Sequence, residues 1–136
     1  MEPKGQILVV DDDPDILSTS RIVLEAAGYE IFTAANSREA LRLLEEQAPD
    51  LLLLDVMMGS DTEGFDFAFK LREDPRFREL PIIMLTSFLD KVRAEGPGPF
   101  EFILGEPWPA EWLFEKPLDT RKLIAKIDAI LKDRRR

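Results

Sequence analysis

The chain has 136 residues, 45% of them hydrophobic, which suits one ordinary core within a single domain. Lys and Arg number 18 against 27 Asp and Glu, and the resulting formal charge of −9 repels nucleic-acid phosphates, so direct DNA binding is not expected. With no Cys and no His, thiol nucleophiles, disulfides, thiolate or imidazole metal sites and histidine acid–base catalysis are excluded, leaving carboxylates, hydroxyls and lysines for any chemistry.

Met1 to Gln6 is polar and lacks the apolar core of a signal peptide, and no stretch is long enough to cross a bilayer, so a cytoplasmic protein without membrane contact is expected. Ile7-Leu8-Val9-Val10 is short, apolar and partly β-branched, as a strand buried on both faces would be. Asp13 then offers an N-cap and Pro14 a first helical position. Ile16, Leu17, Val23, Leu24 and Ala27 recur at helical spacing up to Gly28. A second strand fits Tyr29 to Ala34. The second helix opens at Asn36, with Glu39 three residues on, and carries Leu41, Leu44 and Ala48 as far as Pro49.

Leu51 to Leu54 is another apolar run, short enough between Pro49 and Asp55 to read as strand. A third helix is expected from about Gly64 to Glu73, and a fourth strand from Ile82 to Leu85, ending at Thr86. The segment Gly96 to Pro109 is broken by glycines and prolines, so a fourth helix must be short and start near Phe88. The fifth strand falls at about Trp112 to Glu115. A last helix follows Asp119, with Leu123, Ile124, Ile127 and Leu131 on one face. Five βα repeats imply an α/β fold: one doubly wound, five-stranded parallel sheet with helices on both faces, occupying residues 1–136 with a core of about 5–134 and no output domain.

In a parallel sheet the carboxyl ends of all strands share one rim. Asp11, Asp12, Asp55, Thr86 and Lys116 would therefore emerge together. If the strand order is the flavodoxin-like 2-1-3-4-5, the first and third strands are neighbours about 4.8 Å apart, and the three aspartates crowd into one pocket. Two carboxylates about 4 Å apart repel by about 4 kcal/mol at an effective dielectric of 20, which calls for a cation. An all-oxygen site suits Mg²⁺ better than Zn²⁺. A carboxylate there can attack phosphorus while Lys116 neutralises charge and the Thr86 hydroxyl donates to the same phosphoryl group.

These residues carry a resemblance. Ile7 to Asp12, Leu53 to Met58, Pro81 to Ser87 and Lys116-Pro117 together resemble a response-regulator receiver domain of two-component signalling, of the chemotaxis-regulator type, over nearly the whole chain. The resemblance implies Asp55 as phosphoacceptor, Asp11, Asp12 and Asp55 with the main-chain carbonyl of Met57 as the Mg²⁺ ligands, and Thr86 and Lys116 as phosphoryl contacts. It implies a sensor histidine kinase or phosphotransfer protein upstream and a downstream protein target acted on in trans. An ideal strand points Asp11 and Asp12 to opposite faces, so the chain must bend there for both to reach one ion, Asp12 directly and Asp11 through water.

Other readings have their own residues. Asp11 to Asp15 alone equally describes a negatively charged helix start, and Phe65, Phe67 and Phe69 read as core rather than a ligand pocket. Trp108 and Trp112 flank the irregular segment and fit either packing beneath it or a partner surface. The terminal Arg134-Arg135-Arg136 reads as a solvated, favourably charged helix end. The chain departs from the receiver pattern in having Gly59 where proline is usual, a Gly59 to Glu63 loop one residue longer, and Leu113 where an aromatic switch residue usually stands. A phosphorylation-independent scaffold is therefore one alternative. An aspartate-based phosphohydrolase is another, from the likeness of Asp11-Asp12-Asp13 to the motif of haloacid-dehalogenase-like enzymes.

Overall fold

The computed structural model describes residues 4–55, 63–86, 112–115 and 119–134; of residues 65, 86, 112–115, 133 and 134 it describes the backbone alone. The strands are β1 (Gln6–Val10), β2 (Glu30–Ala34), β3 (Leu51–Asp55), β4 (Ile82–Thr86) and β5 (Trp112–Glu115). The helices are α1 (Pro14–Ala26), α2 (Ser37–Gln47), α3 (Glu63–Glu73) and α4 (Thr120–Arg134). The expectations for a short helix near Phe88 and for Gly96 to Pro109 fall outside the described residues.

β1 lies between β2 and β3, with Val10 opposite Ala34 on one side and opposite Leu54 on the other, all in parallel register. β4 extends the sheet beside β3, giving the core order β2-β1-β3-β4, and the Trp112–Glu115 backbone pairs in parallel with β4 beyond it. A strand between two parallel neighbours has both faces covered, which is why β1 and β3 read as unbroken apolar runs. Leu51, Leu52, Leu53 and Leu54 are all 0% exposed. Each contributes about 1.5–3 kcal/mol relative to an exposed side chain.

Alternation along the strands splits the core in two. Leu8, Val10, Leu52, Leu54, Ile82 and Met84 pack with Ala40 and Leu44 of α2 and with Phe67, Ala68 and Leu71 of α3. Ile7, Val9, Leu51, Leu53, Ile83 and Leu85 pack on the opposite face with Leu24 of α1 and with Leu123, Ile127, Ile130 and Leu131 of α4. Phe67 is buried and Phe69 packs against the first cluster, in keeping with the core reading of these two, while the Phe65 side chain falls outside the described residues.

The caps follow from side-chain chemistry. Asp13 Oδ1 accepts from the Asp15 amide at 2.9 Å, Asn36 Oδ1 from the Glu39 amide at 2.9 Å, and Asp119 Oδ1 from the Arg121 amide at 3.1 Å. α1 ends before Gly28, whose φ of 103° suits glycine, and whose missing Cβ leaves room for the Lys4 side chain. Two details differ from expectation. Leu41 is 37% exposed, because Ala40 and Leu44 face the sheet and Leu41 lies about 100° round the helix from Ala40. Ala48 is not part of the inner face but the C-cap of α2, left-handed at φ 46°, where the following Pro49 disfavours a further right-handed turn.

Candidate functional site

The strand ends at Val10 and Leu54 lie side by side, so the residues that follow them are neighbours at one rim. Asp11 keeps the ladder for one more step, its amide donating to the Ala34 carbonyl at 3.1 Å. The chain then bends at Asp12. The bend is held by the Asp13 amide, which donates to Asp11 Oδ1 at 2.9 Å, and by the Asp13 cap of α1. Two consecutive aspartates that a straight strand would point apart are thereby turned toward one place.

β3 supplies the third carboxylate at its last residue. Asp11 is 0% exposed and Asp55 5% exposed, whereas Asp12 is exposed, and one carboxylate oxygen from each lies within 4.8 Å of the others. Two of these three carboxyl groups sit beside wholly buried leucines and valines, where the low dielectric strengthens every charge interaction they make. The donor set is all oxygen and hard, with spacing that one small divalent cation can bridge, and so the residues fit Mg²⁺.

Of the other predicted site residues, Thr86 closes β4. Its backbone lies one step beyond Leu85, the partner of Asp55 across the β3–β4 ladder. Met57, Lys116 and residues 59–62 of the loop before Glu63 fall outside the described residues, as do the side chains of Thr86 and Leu113. Sequence reasoning missed one contact at this rim: the Ser37 hydroxyl, in the first turn of α2, donates to Glu63 Oε1, in the first turn of α3, at 3.1 Å. Nothing in the local pattern signals a pair 26 residues apart.

A parallel α/β sheet with an acidic pocket at the carboxyl ends of its two central strands defines a phosphoacceptor regulatory module, and comparison with known proteins agrees. The family model of the response regulator receiver domain matches residues 7–104, and the chain belongs to that family, part of two-component signalling. The phosphate regulon transcriptional regulatory protein PhoB of Pseudomonas aeruginosa is 36% identical over 126 residues, covering 93% of this chain and 51% of the relative. A 14.6 kDa protein of Leptolyngbya boryana is 45% identical over 82 residues, covering 60% of this chain and 62% of the relative. The chemotaxis response regulator CheY4 of Vibrio cholerae superposes with a TM-score of 0.75 at 28% identity, covering 96% of this chain and 99% of that one. The chain spans about half the length of the first curated relatives it matches. Among the described residues no helix is long and apolar enough to cross a membrane.

Proposed function

We propose that this receiver is a signalling switch that takes a phosphoryl group on Asp55 from a sensor histidine kinase or phosphotransfer protein, and that another protein surface reads the phosphorylated state. The observation that carries the reading is the meeting of Asp11, Asp12 and Asp55 within 4.8 Å, two of them buried. Asp55 Oδ attacks phosphorus, the bond from phosphorus to the donor breaks, and the donor leaves with the electron pair. Asp11, Asp12, Asp55 and the Met57 carbonyl would hold Mg²⁺, which supplies charge neutralisation for the phosphoryl oxygens when bound. Thr86 and Lys116 contact the same oxygens, one as a hydroxyl donor and one as a cation. The complete fold in this reading is the five-stranded, flavodoxin-like order 2-1-3-4-5, with its site at the switch point between β1 and β3. Catalysis is limited to self-phosphorylation and self-dephosphorylation, and a cytoplasmic location follows from the kinase partner.

The test is intact mass after incubation with Mg²⁺ and acetyl phosphate, quenched quickly. The wild type gains one phosphoryl group and Asp55→Asn gains none. Equal labelling of both variants, or none of the wild type by acetyl phosphate and by candidate kinases alike, overturns the reading.

A further inference from the structure

The β1–β2 ladder carries Asp11 one step past its strand, with its amide on the Ala34 carbonyl at 3.1 Å, and so fixes its backbone. The direction of its carboxylate is set separately. Asp11 Oδ1 accepts from the Asp13 amide at 2.9 Å, two residues on. Every polar group of Asp13 is engaged: the amide with Asp11, the carbonyl with the Leu17 amide at 3.2 Å, and the carboxylate with the Asp15 amide at 2.9 Å. One residue thus joins the pocket to α1, a helix anchored on the sheet through Leu24.

Pro14 confines Asp13 to extended backbone, in agreement with its φ of −90° and ψ of 111°, but extended backbone alone does not tie the residue to the helix. The Asp13 side chain makes that tie. Its carboxylate is exposed, and although it directly follows Asp11 and Asp12 it is not one of the three that meet within 4.8 Å. We propose that Asp13 is a positioning residue for the metal pocket: its capping side chain holds the residue-13 amide against Asp11, and so aims the Asp11 carboxylate at the place where Asp12 and Asp55 meet it. The inference rests on the phosphoacceptor reading and adds to it a residue that touches neither metal nor phosphoryl group.

Calorimetric titration with MgCl₂ and the rate of labelling by acetyl phosphate test the residue, with the wild type measured first and at a temperature where melting curves in chelator show every variant fully folded. Asp13→Ala loses the cap, whereas Asp13→Asn keeps it, because Asn caps a helix as well as Asp does. Both lose the same charge, so the difference between them reads the cap alone. Asp13→Ala binds Mg²⁺ about three- to tenfold more weakly than Asp13→Asn, and labels correspondingly more slowly at subsaturating Mg²⁺. This is less than the roughly 10- to 100-fold cost of deleting a bond to a metal ligand itself, because the Asp13 amide remains. Asp13→Ser, a shorter neutral cap, stays within about twofold of Asp13→Asn. Equal Mg²⁺ affinity in Asp13→Ala and Asp13→Asn overturns the inference, whether both match the wild type or both fall together through loss of charge. A serine variant no better than the alanine one overturns it too. A wild type that binds no Mg²⁺ and takes no label removes the phosphoacceptor reading, and the inference with it.

Discussion

The two rims of the sheet arrange their carboxylates differently. Where the strands begin, carboxylates meet donors: Asp50 Oδ2 accepts from the Gln6 amide at 2.8 Å, and Asp128 accepts from the Tyr29 hydroxyl and lies 3.6 Å from Lys4 Nζ. Nearby, Arg76 bridges Asp74 at 2.7 Å and Glu45 at 2.8 Å. Where the strands end, Asp11, Asp12 and Asp55 are brought to one another. Both rims carry hydrogen-bonded carboxylates, but the second also brings three of them within reach of one ion, which stable folding does not require. Removing the Asp55 charge at one rim and removing a donor to a carboxylate at the other should therefore act with opposite sign.

The largest effect is expected between the rims. Leu53 is 0% exposed at the centre of the sheet, and Leu53→Ala should cost about 2–5 kcal/mol in denaturant unfolding. A cost below about 1 kcal/mol would contradict the close packing of β3. At the acidic rim, Asp55→Asn in chelator should raise stability by about 1–3 kcal/mol, because it removes one buried like charge. Mg²⁺ narrows the gap: at about 100 times its Kd it stabilises the wild type by about 2.7 kcal/mol, and the variant by less. Destabilisation by Asp55→Asn in chelator would mean that the acidic pocket is not a source of strain.

At the opposite rim the sign changes. Tyr29→Phe deletes the hydroxyl that donates to Asp128 and should lower stability by about 1 kcal/mol. Unchanged stability would show that the tie between α4 and the start of β2 adds nothing beyond its apolar packing.

The contrast is half legible in the sequence. Short apolar runs ending in acids, set among helical segments, read as central parallel strands, and that reading alone puts Asp11 and Asp55 on one rim. Caps at Asp13, Asn36 and Asp119 are equally readable, since each uses a side chain on its own local turn. Which of Asp11 and Asp12 is buried is not readable, because it depends on the bend held by the Asp13 amide. The opposite rim is invisible. Tyr29 and Asp128 are 99 residues apart, and only the packing of α4 against the sheet brings them together. Leu41 reads as core because a hydrophobic side chain carries no record of which way its helix is turned.

The smallest effect is at the surface ion pairs. The Arg76 guanidinium donates to Asp74 and holds its carboxyl below the ordinary value of 3.8, while Asp74 and Glu45 hold the guanidinium protonated above its own. A depressed folded-state value means that this pairing contributes fully only above the unfolded value, and is lost as pH falls through the lowered one. Both groups reach solvent, so global stability should barely respond. The titration itself should respond. In Arg76→Ala the Asp74 carboxyl, followed by carbon NMR, should titrate at a higher pH than in the wild type, and high salt should shrink the difference. A wild-type Asp74 that titrates at its ordinary value would show that the pairing is not held in solution. The same NMR series in chelator reads the acidic rim side by side with it, so that a carboxylate beside a guanidinium and carboxylates beside each other are compared in one molecule.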